Sequence, residues 1–304
     1  MRIILLKFIF LLLVPSALFA QQKKVAFTFD DLPAVHGETA TMQYVTQKII
    51  SRLQNNRVPA TGFVNEGKLY RGTRPDSVRV GLLEDWLRYG FPLGNHTYSH
   101  VYINQATIEQ YKQEIIKGEQ ITRQLATRYG RELKYFRHPQ LRTGPTEDYK
   151  HALDSFLDEL KYVTAPVTMD NDEYIFANIY AKAKKAGNTS LMKMAAGEYI
   201  AYMDTVLTYY ENLTLIFFER HIHHVLLLHA NELNADYLDS LITLFRNKGY
   251  AFITLDEALT DPAYKLPEVV STRGISWIHR WMLARGITPP PQPQPSRKVM
   301  NLNN

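Results

Sequence analysis

Residues 24–31 read Lys-Val-Ala-Phe-Thr-Phe-Asp-Asp. The Val- and Phe-rich run Lys24–Phe29 has the composition of a short strand, and two adjacent carboxylates, Asp30 and Asp31, close it. The same design recurs along the chain. Apolar runs at Ala60–Val64, Phe91–Gly94, Lys134–Arg137, Tyr162–Thr168, Val225–Leu228 and Tyr250–Thr254 alternate with segments of helical periodicity. Those segments are Thr41–Leu53, Ser77–Tyr89 with Gly90 at its C-cap, a single long helix over Thr107–Tyr129 closed by Gly130, Thr146–Leu160 with Thr146 as N-cap, and Ala235–Arg246. Strand-helix alternation of this kind implies parallel crossovers and an α/β fold. The strands are read as one distorted (β/α)7-like barrel over residues 21–260.

Two stretches depart from the alternation. Residues 173–220 contain no strand pattern and are read as a helical insertion before the sixth strand. Its aromatics (Tyr199, Tyr202, Tyr209, Tyr210, Phe217 and Phe218) are read mainly as core contacts, with a ligand groove as the other reading. Residues 261–304 form a C-terminal extension. There Trp277 and Trp281, four apart, are expected to pack a helix onto the barrel, and the proline-rich stretch 288–295 is expected to be extended or mobile.

Composition narrows the function classes. The chain has 304 residues, 45% of them hydrophobic and 21% charged, enough for a large core. A net charge of +5 with no long basic block gives no reason to expect a nucleic-acid partner. Cys is 0, which excludes disulfides and thiolate metal sites. No phosphate-cradling loop or dinucleotide fingerprint occurs. Residues 1–20 read as a signal peptide: Arg2 and Lys7 flank an apolar run that ends at Ala17-Leu-Phe-Ala20, with cleavage after Ala20. An uncleaved membrane anchor is the competing reading. Export without cysteine is expected to place the protein in a bacterial periplasm or outside the cell, with no membrane role beyond targeting.

Ionisable residues collect at strand ends. Asp30 and Asp31 end the first strand, His96 and His100 follow the third, Arg137 ends the fourth, Asp170 follows the fifth and His229 ends the sixth. In a parallel barrel these ends open onto one face, so residues distant in sequence converge there. His96 and His100 would share one face of a helical turn, and carboxylate plus imidazole suits Zn²⁺, Co²⁺ or Fe²⁺. Each pair also has a plain reading, as a capping or solvated carboxylate pair and as a structural histidine pair. His221, His223 and His224 precede the sixth strand, opposite the proposed catalytic face, and are not read as a second metal site. His138 is placed near the site, and His36 and His151 on the surface. Asn95-His-Thr has the form of a glycosylation acceptor, but a glycan there would obstruct His96.

Residues 24–258 resemble the polysaccharide deacetylase family, also called the NodB-homology or carbohydrate esterase family 4 group. Thr28-Phe-Asp-Asp31 resembles its first motif and His96-Thr-Tyr-Ser-His100 its second. Arg137-His-Pro139 resembles the third, Asp170-Asn-Asp-Glu-Tyr174 the fourth and Leu226-Leu-Leu-His229 the fifth. The resemblance implies metal-dependent hydrolysis of an N-acetyl group on an amino-sugar glycan of chitin-oligomer or peptidoglycan type. It implies that Asp31, His96 and His100 hold one divalent ion, with zinc the leading candidate, and that Asp30 is the general base. Arg137 would orient Asp30, Asp170 would brace Arg137, and His229 would be the general acid. The Arg137 cation is expected to lower the pKa of Asp30.

The chain departs from the family pattern in two motifs. Arg137-His-Pro-Gln-Leu-Arg stands where Arg-Pro-Pro-Tyr-Gly is usual, and Glu173-Tyr174 where Asp-Trp is usual. Both loops shape the substrate groove. An O-acetyl esterase acting on a polysaccharide such as acetyl-xylan, and a glycan-binding barrel without catalysis, stand as alternatives.

Overall fold

The structure, a computed structural model, describes residues 22–303. The signal-peptide reading of residues 1–20 lies outside the described residues. Seven strands form one parallel sheet: β1 (Lys23–Leu32), β2 (Ala60–Val64), β3 (Leu93–Asn95), β4 (Tyr135–Phe136), β5 (Val163–Thr164), β6 (His223–His229) and β7 (Tyr250–Phe252). Their order across the sheet is β5-β4-β3-β2-β1-β6, and β7 pairs with the start of β1. The chain leaving β5 runs on to Met169, which bridges Leu226 on β6 at the other end of that order. The sheet is therefore curled, and the fold is the distorted (β/α)7-like α/β barrel read from the sequence.

β1 is the central strand. Its residues Val25–Leu32 are all buried, and it is longer than its apolar run because Asp30 and Asp31 stay within the ladder. Pairing with β6 runs in register from Lys24 opposite His223 to Asp30 opposite His229. Pairing with β2 slips between Phe29 and Leu32. This bulge re-aims the chain at the two aspartates, and Asp31 takes a left-handed φ of 71°.

Helices surround the sheet. Those following β1, β2 and β4 are α1 (Thr39–Asn56), α2 (Ser77–Arg88) and, after an intervening loop, α5 (Glu147–Glu159). The single helix expected over Thr107–Tyr129 is instead two, α3 (Ile108–Lys117) and α4 (Gln120–Arg128). A Cβ on Gly118, between them, would lie 2.7 Å from the Thr97 carbonyl carbon and 2.8 Å from the Tyr98 nitrogen. The break lets the helix pair pack directly against the loop that carries the two histidines. Buried Glu66 then satisfies the start of α4, accepting from the backbone N–H groups of Ile121 at 2.7 Å and Thr122 at 3.0 Å.

Residues 173–218 form α6 (Glu173–Lys185) and the 30-residue α7 (Thr189–Phe218). Tyr199, Tyr202 and Tyr210 are buried, while Tyr209, Phe217 and Phe218 are half-buried against the core. α8 (Glu232–Asn247) follows β6, and the short α9 (Leu255–Ala258) follows β7. Beyond it α10 (Trp277–Ala284) buries both tryptophans, and α11 (Arg297–Asn303) packs on α6. Between α10 and α11 the proline-rich stretch is extended and docked, with Tyr209 donating its hydroxyl hydrogen to the Pro290 carbonyl at 2.6 Å. Among the described residues no helix is long and apolar enough to cross a membrane.

Candidate active site

The C-terminal ends of β1, β3, β4 and β6 open into a cavity of about 350 Å³ lined by Asp30, Asp31, His96, His100, Asp170 and His229, among others. One ligand atom each from Asp31, His96 and His100 lies within 4.8 Å of the others. This is the one such cluster of metal-ligating groups among the described residues. His224 is buried at the opposite end of β6, where it pairs with Thr168.

The two histidines meet through a loop, not through the helical turn expected. Residues 96–100 have no helical assignment, and Thr97 and His100 both adopt left-handed φ, 65° and 57°. Asn95 organises the loop. Its side chain accepts from the Thr97 N–H at 2.8 Å and donates to the Ile115 carbonyl of α3 at 2.9 Å. Asn95 is fully buried, consistent with discounting it as a glycosylation acceptor. The Tyr98 N–H donates to the Glu114 carbonyl, also on α3, at 3.0 Å.

The donor set fits a divalent ion. His96 Nδ1 lies 2.8 Å from the Arg137 carbonyl, which fixes the hydrogen on Nδ1 and leaves the Nε2 lone pair free. His100 Nδ1 is held by the Gln140 side-chain amide at 3.0 Å. Burial lowers the pKa of both histidines to about 4, so both rings are neutral at pH 7. Burial would raise Asp31, but Lys68, whose Nζ is 3.2 Å from Oδ1, and the nearby imidazoles reverse the sign and keep it ionised. Two neutral imidazoles and a carboxylate leave coordination positions open, as in hydrolytic centres.

Asp30 lines the same cavity, its Oδ2 3.7 Å from His96 Nε2. Both its carboxylate oxygens lie 3.4 Å from Arg137 Nη1. Arg137 is itself fully buried, donates to Thr28 Oγ1 at 3.1 Å and sits over the Phe63 ring at 4.5 Å. Arg137 does pull the Asp30 pKa down, as expected, but the net shift is upward. Burial pushes Asp30 up by more than the guanidinium and His229 pull it down. The result is a more basic carboxylate, held in place by its cation.

Asp170 is half-buried at the cavity wall, where it caps the Asn171 N–H at 2.9 Å. Among the described residues no hydrogen bond or ion pair joins it to Arg137, so bracing would act only through charge at longer range. Burial and neighbouring Asp172 raise its pKa to about 7. His138 is buried against Phe136 and does not line the cavity.

The residue that sequence reasoning missed is Glu173. It is fully buried, and its Oε2 lies 2.8 Å from His229 Nδ1. Its other oxygen accepts from Asn231 and from Asn234 Nδ2, the latter at 3.1 Å. Burial would lower the His229 pKa, but the Glu173 charge and hydrogen bond outweigh it and bring it to about 9. The signal was present: Glu173 occupies the second acidic position of the fourth motif, three residues after Asp170.

Residues 20–155, which carry the first three motifs, match the family model described as polysaccharide deacetylase. This stretch of the chain is similar to that family. Over 119 residues it is 34% identical to a peptidoglycan-N-acetylglucosamine deacetylase of Bacillus cereus, a match covering 38% of this chain and 36% of that protein. The chain thus spans about a third of the length of that relative. Among solved structures, a peptidoglycan N-acetylglucosamine deacetylase in complex with 4-naphthalen-1-yl-N-oxidanyl-benzamide aligns with a TM-score of 0.50 at 20% identity, over 78% of this chain and 88% of that one. A family 4 carbohydrate esterase from Bacillus anthracis aligns with a TM-score of 0.48 at 20% identity, over 79% of this chain and 84% of that one. The cluster of buried Asp31 and His96 with half-buried His100 at the strand ends is capable of coordinating a divalent ion.

Proposed function

We propose that this protein is a polysaccharide deacetylase that removes N-acetyl groups from an amino-sugar glycan, as an exported enzyme with one divalent ion, zinc first among the candidates. The observation that carries the reading is the pairing of two opposed proton-transfer groups across one register position. Asp30 and His229 face one another between β1 and β6, beside the cluster of Asp31, His96 and His100.

A divalent ion bound by Asp31, His96 and His100 supplies Lewis-acid polarisation of the acetyl carbonyl and a lowered pKa for the attacking water. The chain's own groups do the rest. Asp30, basic through burial and oriented by Arg137, accepts a proton from the water as its oxygen bonds to the acetyl carbon. Breaking the C–N bond then requires a proton on the departing nitrogen. His229 supplies it from Nε2, because Glu173 engages Nδ1 and favours the imidazolium. Acetate and a free amine are the products.

The Glu173–His229 pair favours an amide over an ester. An alkoxide leaves with less help than an amide nitrogen, so a histidine held charged by a buried carboxylate matters most for the amide. A peptidoglycan or chitin-like glycan is preferred to acetyl-xylan on this ground and on the name of the matched Bacillus cereus relative. The test is acetate release from N-acetylglucosamine oligomers, peptidoglycan and acetyl-xylan, each with and without chelator. Chelator-sensitive release from one of the amino-sugar substrates is expected. For His229→Ala, a loss of about 10²–10⁴-fold on the amide is expected, with a smaller loss on a matched acetyl ester. Equal losses on both would contradict amide specialisation.

A further inference from the structure

His96 and His100 are supported in different ways. His96 Nδ1 bonds to the backbone carbonyl of Arg137, just after β4, and its side chain is only 2% exposed. His100 sits on a loop with its side chain 31% exposed, and its Nδ1 is met by a side chain, that of Gln140. We infer that Arg280, fully buried in the C-terminal extension, is a positioning residue for this second ligand: it holds the turn at Gln140–Leu141, and through that turn it fixes the His100 ring toward the ion. The inference rests on the metal-site reading above. It concerns a residue outside the stretch matched to the family model.

The turn needs outside support. Gln140 and Leu141 are successive non-glycine residues at φ 50° and 56°, a conformation that side-chain sterics disfavour. Such a pair persists where its surroundings over-determine it. The C-terminal segment supplies those surroundings. Arg280 Nη2 donates to the Leu141 carbonyl and Nη1 to Thr143 Oγ1 at 2.9 Å, so one guanidinium fork grips the turn at two points. Nη1 also donates to the Val269 carbonyl at 3.2 Å, and the guanidinium lies over the Trp277 ring at 4.7 Å. Glu268 Oε2, 3.9 Å from Nε, balances its charge. Gly274 passes directly beneath Gln140: a Cβ there would lie 2.1 Å from the Gln140 carbonyl oxygen, so only glycine lets the segment cross so near. The Thr272 carbonyl accepts from Asn104 and from Arg142, each at 2.8 Å, which ties the same segment to the chain beyond His100 as well as to the turn.

The Gln140 amide gives the turn its chemical purpose. Its Nε2 lies 3.0 Å from His100 Nδ1, while its Oε1 is buried without a partner. His100 Nε2, 3.9 Å from Asp31 Oδ1, is the ring atom that faces the other ligands. An ion there takes the Nε2 lone pair, which places the ring hydrogen on Nδ1. Turning the amide over exchanges its two ends, and Oε1 then accepts that hydrogen. Both arrangements need the Gln140 backbone where Arg280 and Gly274 hold it.

The test is a cobalt(II) titration of metal-stripped protein, with the dissociation constant read from the visible absorption band and folding checked by circular dichroism. Arg280→Lys keeps the charge opposite Glu268 but ends a bond short of Nη2. Gly274→Ala presses on the same turn and serves if the lysine variant fails to fold. Gln140→Ala and Arg280→Lys should each weaken cobalt binding by about tenfold or more and shift the band. Because Arg280 acts through Gln140, the double variant should bind within about twofold of Gln140→Ala alone. A role confined to overall stability would leave the band of the folded variant in place and let the two losses multiply. Folded Arg280→Lys, or Gly274→Ala in its stead, with the parent's affinity and spectrum would overturn the inference and leave the metal site standing, and so would losses that multiply. A parent protein that binds no ion would remove both.

Discussion

Glu173 and Asp30 illustrate how burial and charge divide proton-transfer roles between neighbouring residues. Both are buried acids, but Glu173 faces three donors, one imidazole and two amides, whereas Asp30 faces the Arg137 guanidinium at 3.4 Å and His96 Nε2 at 3.7 Å. His229 is raised to about 9, so it is charged below that pH and loses its proton above it. The alkaline limb of kcat/KM should therefore fall at or below pH 9, lower if a bound cation repels the imidazolium. Glu173→Gln removes the charge that raises His229, so the limb should move down toward about 6.5. A limb that stays in place would show that another group supplies the proton. The metal ligands make an opposite prediction at acid pH. Ordinary histidines would each weaken metal binding about tenfold per pH unit below 6.5. With His96 and His100 at about 4, the metal dissociation constant should stay nearly flat from pH 7 to 5 in a competition titration.

At the scale of elements, the site depends on where helices stop. Gly118 divides α3 from α4 and lets the His96–His100 loop lie within van der Waals contact of the break. Gly118→Ala would lower stability by about 1–3 kcal/mol through overpacking against backbone atoms. It should also weaken metal binding, because Tyr98 and Thr97 are the atoms displaced. Denaturation and metal titration on one preparation would check both, and a stable variant with parental affinity would contradict the packing account. The sequence carried no sign of this break, since the apolar periodicity runs on from Ile108 to Tyr129 and glycine within a helix is tolerated. Strands were more legible. The stretch Ala60–Val64 coincides with β2, and Lys24–Phe29 lies wholly within β1. β4 and β5 shrank to two residues each because the chain beyond β5 turns its hydrogen bonds toward β6, a choice made by tertiary closure.

Across the whole molecule, residues at the ends of four separate strands line one cavity, and that convergence was legible because parallel strands must open on one face. Asp30, Asp31, His96, His100 and His229 were readable from position alone. The Glu173–His229 contact was not, because it links a loop to a strand 56 residues later and depends on how α6 enters the barrel. The C-terminal region was legible only as helix and proline run. Its docking through Tyr202, Tyr209 and Gly274 depends on surfaces made by other elements. The account as a whole stands on hydrolysis at one ion held by three side chains. The most direct measurement is acetate release from an N-acetylglucosamine oligomer as zinc is titrated into metal-stripped protein. Release should climb from baseline and saturate at one ion per chain, and His96→Ala should remain at baseline throughout. Release at full rate without metal, or none at saturating metal from any acetylated amino-sugar glycan, would contradict it.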